Sequence, residues 1–179
     1  MVMDGESRGG GHQMHGTYPS IAGLVLAAGA STRMGKPKAS LLFHGITFLE
    51  CILNHLSVSG VAFRVVAVAD NDAKILNSIN LTSISLVYNA NDNNIGAIGS
   101  IRAAVRYVIN RKVDFLLVWP VDQPHVKSES VKQLVAESVS KRPKSTVPTF
   151  MGHRGHPVLF AAETFTELLS PKSGQGANA

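Results

Sequence analysis

The 179 residues are 45% hydrophobic and carry a formal charge of +5, enough apolar surface for one α/β domain and too little chain for two. A single cysteine, Cys51, excludes an intramolecular disulfide framework and suits a reducing, cytoplasmic setting; no apolar run approaches the roughly 20 residues that span a bilayer. Residues 1–18 hold one base (Arg8) against two acids (Asp4 and Glu6), so the remainder carries +6, which suits a small phosphorylated ligand better than nucleic acid because the bases are scattered and few aromatics stand among them.

Taken in chain order, residues 1–18 are Gly-, His- and Met-rich without periodicity and read as a disordered leader or an added tag. His12 and His15 have a metal-compatible spacing, but nothing there enforces a helix. From Ile21 onward, apolar runs rich in β-branched residues at 21–27, 63–69, 84–88, 114–119, 145–150 and 156–160 alternate with segments of helical period at 46–58, 71–79, 98–110, 127–141 and from 161. This alternation predicts repeated βα units, hence a three-layer α/β sandwich with a mostly parallel sheet. Cys51 falls on a helical apolar stripe and is expected to pack in the core rather than act as a nucleophile. The oxygens of Asp70, Asp72 and the Ser128-Glu-Ser segment are expected to start helices.

Open parallel sheets hold ligands beyond the carboxyl ends of their strands, and three unusual segments fall there, at 28–38, 89–99 and 121–124. The first lies within Leu26-Ala-Ala-Gly-Ala-Ser-Thr-Arg-Met-Gly-Lys-Pro-Lys38. Its small residues permit close backbone approach to phosphate oxygens, and Arg33 and Lys38 bring fixed positive charge. The spacing matches neither a Walker A loop nor Gly-x-Gly-x-x-Gly. In the second, Asn89 offers an amide to a base edge, and Ser100 is expected to open a helix whose amino end favours an anion. In the third, Asp122 is a hard oxygen donor suited to magnesium. Each feature also has a structural reading: Arg33 and Lys38 as solvated charges, Asp122 and the Asn-rich segment as turn formers. Arg102 and Arg106 stand at i and i+4, a spacing that more often makes a wet helix face than a site, and the wet face is assigned to Arg106. His156, in Gly155-His-Pro157, is read equally as an acceptor contact or as a hydrogen-bonded strand start. His153 and Arg154 are assigned to a flexible turn around Gly152 or to an acceptor phosphate.

Leu26-Ala-Ala-Gly-x-Ser-x-Arg-Met-Gly-x-x-Lys38 closely resembles the signature loop of the MobA-like nucleotidyltransferases. Val121-Asp-Gln-Pro124 and Gly155-His-Pro-Val-Leu159 look like the molybdenum cofactor cytidylyltransferase branch, and Gly96-Ala-Ile-Gly-Ser-Ile-Arg-Ala-Ala104 is similar to the family's loop and helix after the third strand. The resemblance implies a Rossmann-like fold of the nucleotide-diphospho-sugar transferase type over 19–179. It implies a nucleoside triphosphate with Mg2+, and transfer of CMP from CTP to the terminal phosphate of molybdopterin with release of pyrophosphate. The backbone of Leu26, Ala27 and Ala28 would contact base or ribose. Gly29, Ser31, Asn89 and Ser100 would complete the nucleotide site, Arg33 and Lys38 would hold the triphosphate, Asp122 would bind magnesium, and His156 would face the acceptor. A molybdoenzyme or its chaperone is the further partner implied, with neither nucleic acid nor membrane.

The Ala27-Ala28 pair is more like cytidylyl members than the Gly-Gly forms of guanylyl ones. Guanylyl transfer to the same cofactor and transfer to a sugar phosphate are the near alternatives, and a non-catalytic nucleotide sensor or molybdoenzyme chaperone is the reading from another class. The family usually continues past the Lys172-Ser-Gly-Gln-Gly176 region into a further strand and an Asp-x-Asp-Thr-Pro-like segment. Here the chain stops at Ala179, and loss of an inner strand is expected to expose a sheet edge and to lower solubility or activity.

Overall fold

The computed structural model describes residues 19–28, 37–61, 63–69, 83–88 and 96–170. Among these, strands β1 (Ile21–Leu26), β4 (Phe63–Val68), β5 (Ile84–Tyr88), β6 (Phe115–Pro120), β10 (Val158–Ala161) and β7 (Ser145–Thr146) form a six-stranded sheet in the order β5-β4-β1-β6-β10-β7. The first four are mutually parallel; β10 runs antiparallel to both its neighbours. Strands covered on both faces need apolar residues at every position, and the central β1 and β6, reading Ile-Ala-Gly-Leu-Val-Leu and Phe-Leu-Leu-Val-Trp-Pro, are buried almost throughout.

Alternate residues of each strand feed two cores. On one side Val25, Val66, Leu117 and Trp119 pack with Leu49, Ile52 and Leu56 of helix α1 (Phe48–Val58) and with Val131 and Leu134 of α3 (Ser128–Lys141). On the other, Leu24, Val65, Leu116 and Val118 meet Ala104, Val105 and Val108 of α2 (Ala97–Val108) and Phe165 of α4 (Phe165–Leu169). The three-layer sandwich expected from the alternation is thus present. Gly23 lets α1 lie close to β1, since a Cβ there would sit 2.9 Å from Leu56 Cδ2 and 3.1 Å from Val61 Cγ1.

Several boundaries differ from the sequence expectation, and proline explains two. Pro148 and Pro157 supply no ladder N–H. Accordingly the run at 145–150 divides into β7 and β8 (Thr149–Phe150), and β10 begins at Val158 rather than at 156. β8 pairs with β9 (His153–Arg154), so His153 and Arg154 belong to a hairpin, turned by Met151 at φ 49° and Gly152 at φ 81°. A second short ribbon, β2 (Leu42–Phe43) with β3 (Ile46–Thr47), was not anticipated. Its signal is Phe43-His-Gly-Ile46, a two-residue turn between apolar residues with both central φ positive, 50° and 88°.

Helix α1 starts at a capping box, with the Thr47 hydroxyl accepting from Glu50 N and the Glu50 carboxylate accepting from Thr47 N. The Thr47 hydroxyl, 2.6 Å from Glu50 Oε2, and then the Thr47 backbone N–H hold the Glu50 carboxyl below its ordinary range. Helix α3 does begin at Ser128, yet that hydroxyl donates to the Glu129 carboxylate and does not cap. Asp70 and Asp72, the helix expected at 71–79, and the His12 and His15 pair lie outside the described residues. The segment from 161 forms a 3-10 turn at Ala162–Thr164 before α4. No helix among the described residues is long and apolar enough to cross a membrane.

Candidate active site

The strand order runs outward from β1 in two directions, to β4 and β5 on one side and to β6 on the other. The carboxyl ends of β1 and β6 therefore flank the point where the topology reverses, the place at which such sheets open a crevice. Leu26 and Pro120 are register partners at that edge. The backbone leaving both strands stays tied to the sheet, because Ala27 N donates to Ala67 O at 2.9 Å and Val121 N donates to Leu26 O at 3.2 Å. Ala27 turns its methyl into the core and Ala28 is half-buried.

Lys38 reaches the same edge from the 3-10 turn Lys38–Ser40. Burial of Ala39 anchors this turn from below, while the Ser40 hydroxyl donates to Pro37 O at 2.8 Å and Phe48 N donates to Leu41 O at 2.8 Å. Lys38 Nζ then lies 2.7 Å from Asp122 Oδ2, a contact between residues 84 apart in the chain. The two side chains are 43% and 44% exposed, so the pair sits in the open crevice rather than in the core. The sequence groups the small-residue turn, Arg33, Lys38 and Asp122 at this edge; the Lys38–Asp122 contact is the part of that group within the described residues.

Asp122 projects from a turn, 121–124, with three ties. Gln123 N donates to Pro120 O at 3.2 Å, Trp119 Nε1 donates to Gln123 O at 3.0 Å, and Cys51 Sγ lies 3.4 Å from Pro124 O. Cys51 is buried, and desolvation pushes its thiol pKa up, away from nucleophilic use. Trp119 is fully buried and stacks on His55 of α1, with ring centroids 6.3 Å apart and planes at 19°. Sequence reasoning treated Trp119 only as a strand end; a lone indole three residues before an acid at a strand terminus is the signal that identifies it as a support.

His156 joins this group from the other direction. β10 pairs antiparallel with β6, Val158 opposite Val118, and His156 precedes that pair across the cis His156-Pro157 bond. Burial lowers the imidazole pKa and the charge of Asp122 opposes that shift, so the two side chains share one electrostatic neighbourhood. Among the described residues, His156 Nδ1 is buried with no hydrogen-bond partner, which leaves the reading of a hydrogen-bonded strand start without support in that ring nitrogen.

One expectation is corrected on α2. The helix opens at Ala97 after Gly96, so Ser100 is its fourth residue and is 3% exposed, its hydroxyl inside the fold. Arg102 is part-buried and donates to Leu168 O and Ser170 O at 3.2 and 2.8 Å, where it satisfies carbonyls at the end of α4. Arg106 is exposed, as expected. Gly29, Ser31, Arg33 and Asn89 lie outside the described residues.

Asp122 offers a divalent ion a carboxylate here, and among the described residues no three His, Cys, Asp or Glu side chains cluster to hold a metal. That donor set fits magnesium, which keeps waters and commonly takes one or two protein carboxylates together with substrate phosphates. Asp122 already accepts a cation, the Lys38 ammonium, in an accessible position.

A parallel α/β sheet with a cation and a carboxylate joined over its switch point defines a Rossmann-like three-layer domain. The chain belongs to the MobA-like NTP transferase domain family, whose model matches residues 23–179. A probable molybdenum cofactor guanylyltransferase of Bacillus cereus (strain G9842) is 30% identical over 141 residues, 79% of this chain and 66% of that relative. The chain thus spans just under two thirds of the relative's length. The crystal structure of Rv0371c from Mycobacterium tuberculosis H37Rv superposes with a TM-score of 0.74 at 25% identity, covering 86% of this chain and 77% of the other. A complex of that protein with manganese gives 0.70 at 24% identity, over 84% and 75%.

Proposed function

We propose that this domain transfers CMP from CTP to the terminal phosphate of molybdopterin, with loss of pyrophosphate. The observation that carries the proposal is the 2.7 Å approach of Lys38 to Asp122 at the switch point: one site offers a cation for phosphate oxygens and a hard carboxylate for a divalent ion.

In the reaction, an oxygen of the acceptor phosphate attacks the α-phosphorus of the triphosphate. The bond from that phosphorus to the α,β-bridging oxygen breaks, and pyrophosphate leaves with the electron pair. Two anions must meet, so catalysis depends on neutralising charge in a partly dehydrated cleft. Lys38 and Arg33 take the charge that gathers on the leaving pyrophosphate. Asp122 holds Mg2+, which supplies further neutralisation of the phosphate oxygens when bound; the manganese complex of the mycobacterial structure supports a divalent ion in this fold. Leu26, Ala27, Ala28, Gly29, Ser31 and Asn89 contribute backbone and amide contacts to the nucleotide, and Ser100 acts only from behind the first turn of α2. His156, neutral at pH 7 because its pKa is lowered, faces the acceptor with an uncommitted Nδ1.

The base preference rests on the Ala27-Ala28 pair, which is more like cytidylyl members than the Gly-Gly forms of guanylyl ones. A second reading, transfer of GMP from GTP to the same acceptor, is favoured by the name of the Bacillus relative. Pyrophosphate release with molybdopterin distinguishes them: turnover with CTP and not GTP is expected, and the reverse overturns the cytidine assignment. Release with sugar phosphates in place of molybdopterin would overturn the acceptor. Absence of release with any of these, alongside stabilisation by nucleotide, would replace the enzyme by a nucleotide sensor or a molybdoenzyme chaperone.

A further inference from the structure

Asp122 hangs on a turn that has left the sheet, so the position of its carboxylate depends on what fixes the turn's backbone. Val121 is held to Leu26 of β1. The far side of the turn is held by side chains from beneath it: the Trp119 indole N–H on Gln123 O at 3.0 Å, and Cys51 Sγ 3.4 Å from Pro124 O. The indole bond is directional and its donor cannot wander. Trp119 is fully enclosed in the core shared by α1, α3 and the sheet, and its ring is stacked on His55. A buried tryptophan needs a partner for its N–H, and this one finds it on the carbonyl of the residue that follows Asp122.

We propose that Trp119 is a positioning residue for the nucleotide-metal site, transmitting the rigidity of the α1 core to the Asp122 carboxylate through the Gln123 carbonyl. The inference rests on the assignment of Asp122 as the metal carboxylate. Since the protein has one tryptophan, that indole is also a built-in optical reporter of the Asp122 turn.

The test is Mn2+ binding followed by electron paramagnetic resonance, with CTP and separately with GTP, in the wild type, Trp119→Phe and Asp122→Asn. Trp119→Phe keeps an aromatic ring against His55 and removes the N–H. Groups that orient a metal ligand typically alter metal affinity by about 10 to 100-fold, so Mn2+ binding to the folded Trp119→Phe protein is expected to weaken about tenfold. A role confined to packing would lower the melting temperature and leave the affinity of the folded protein unchanged. Wild-type affinity in folded Trp119→Phe, with loss in Asp122→Asn, overturns the positioning role alone; wild-type affinity in both overturns it together with the metal assignment. If Trp119→Phe fails to fold, the wild-type indole carries the test. Saturating Mn2+ with nucleotide is expected to quench its emission in the wild type and not in Asp122→Asn, and emission unchanged in the wild type overturns the proposal.

Discussion

Replacing Lys38 by methionine separates what its ion pair does for the fold from what it does for the ligand. The pair is close, at 2.7 Å, but each side chain is more than 40% exposed, so solvent screens most of the attraction and its net worth is about 0.2–1 kcal/mol. For a domain of this size that corresponds to a fall of at most about 4 °C in melting temperature. Methionine keeps most of the unbranched stem and leaves Ala39, the anchor of the turn, in place. Loss of one positioned charge-stabilising donor in a transferase cleft costs far more, about 100 to 1,000-fold in turnover. The variant should therefore melt almost where the wild type does and release pyrophosphate at least 100-fold more slowly. Mn2+ affinity without nucleotide should stay equal or rise by up to about fivefold, the equivalent of the broken pair, because Asp122 no longer has an ammonium to exchange for the ion. Melting by circular dichroism, a coupled pyrophosphate assay and a Mn2+ titration read the three quantities. Turnover within tenfold of wild type, or a melting temperature lower by more than 10 °C, would refute the reasoning.

Gly23→Ala places a methyl 2.9 Å from Leu56 Cδ2 and 3.1 Å from Val61 Cγ1; both neighbours are buried side chains that must shift to make room. Overpacking of this kind costs about 1–3 kcal/mol, so thermal melting should fall by several degrees, and an unchanged midpoint would show that α1 shifts freely. His156 makes stability depend on pH below its ordinary pKa of 6.5. Above that value folded and unfolded chains both hold it neutral and it contributes nothing. As pH falls through 6.5 the unfolded chain binds the proton first, because the folded pKa is lowered, and stability declines until the folded value is passed. Melting temperatures at pH 7.5 and 5.5 should therefore separate more for the wild type than for His156→Gln, and parallel profiles would remove the effect.

Hydrophobic patterning alone is enough to specify the layers and the sheet edge on which the carboxyl ends of the parallel strands lie. Runs such as Ile21–Leu26 and Phe115–Pro120 are apolar at nearly every position because both faces of a central parallel strand are covered, a pattern no surface strand tolerates. Ala27 and Ala28 after the first run and the Asp122 turn after another are legible as neighbours for the same reason: carboxyl ends of parallel strands share one edge. Local punctuation was less legible. Pro148 and Pro157 divide runs whose hydrophobicity is continuous, and the His44-Gly45 turn is short enough to hide between apolar residues.

How distant side chains are used follows only from packing across the layers. Arg102 looks like a solvent charge until α4 presents its last carbonyls to it, and Ser100 looks like a helix opener until the turn beginning at Ala97 encloses it. The Lys38 contact with Asp122 spans 84 residues, and the Trp119 bond to Gln123 depends on α1 closing over the indole. Periodicity reports which face of an element is apolar. It carries no information on which polar atom meets which across the fold, because that is fixed by packing distances set only when all three layers are in place.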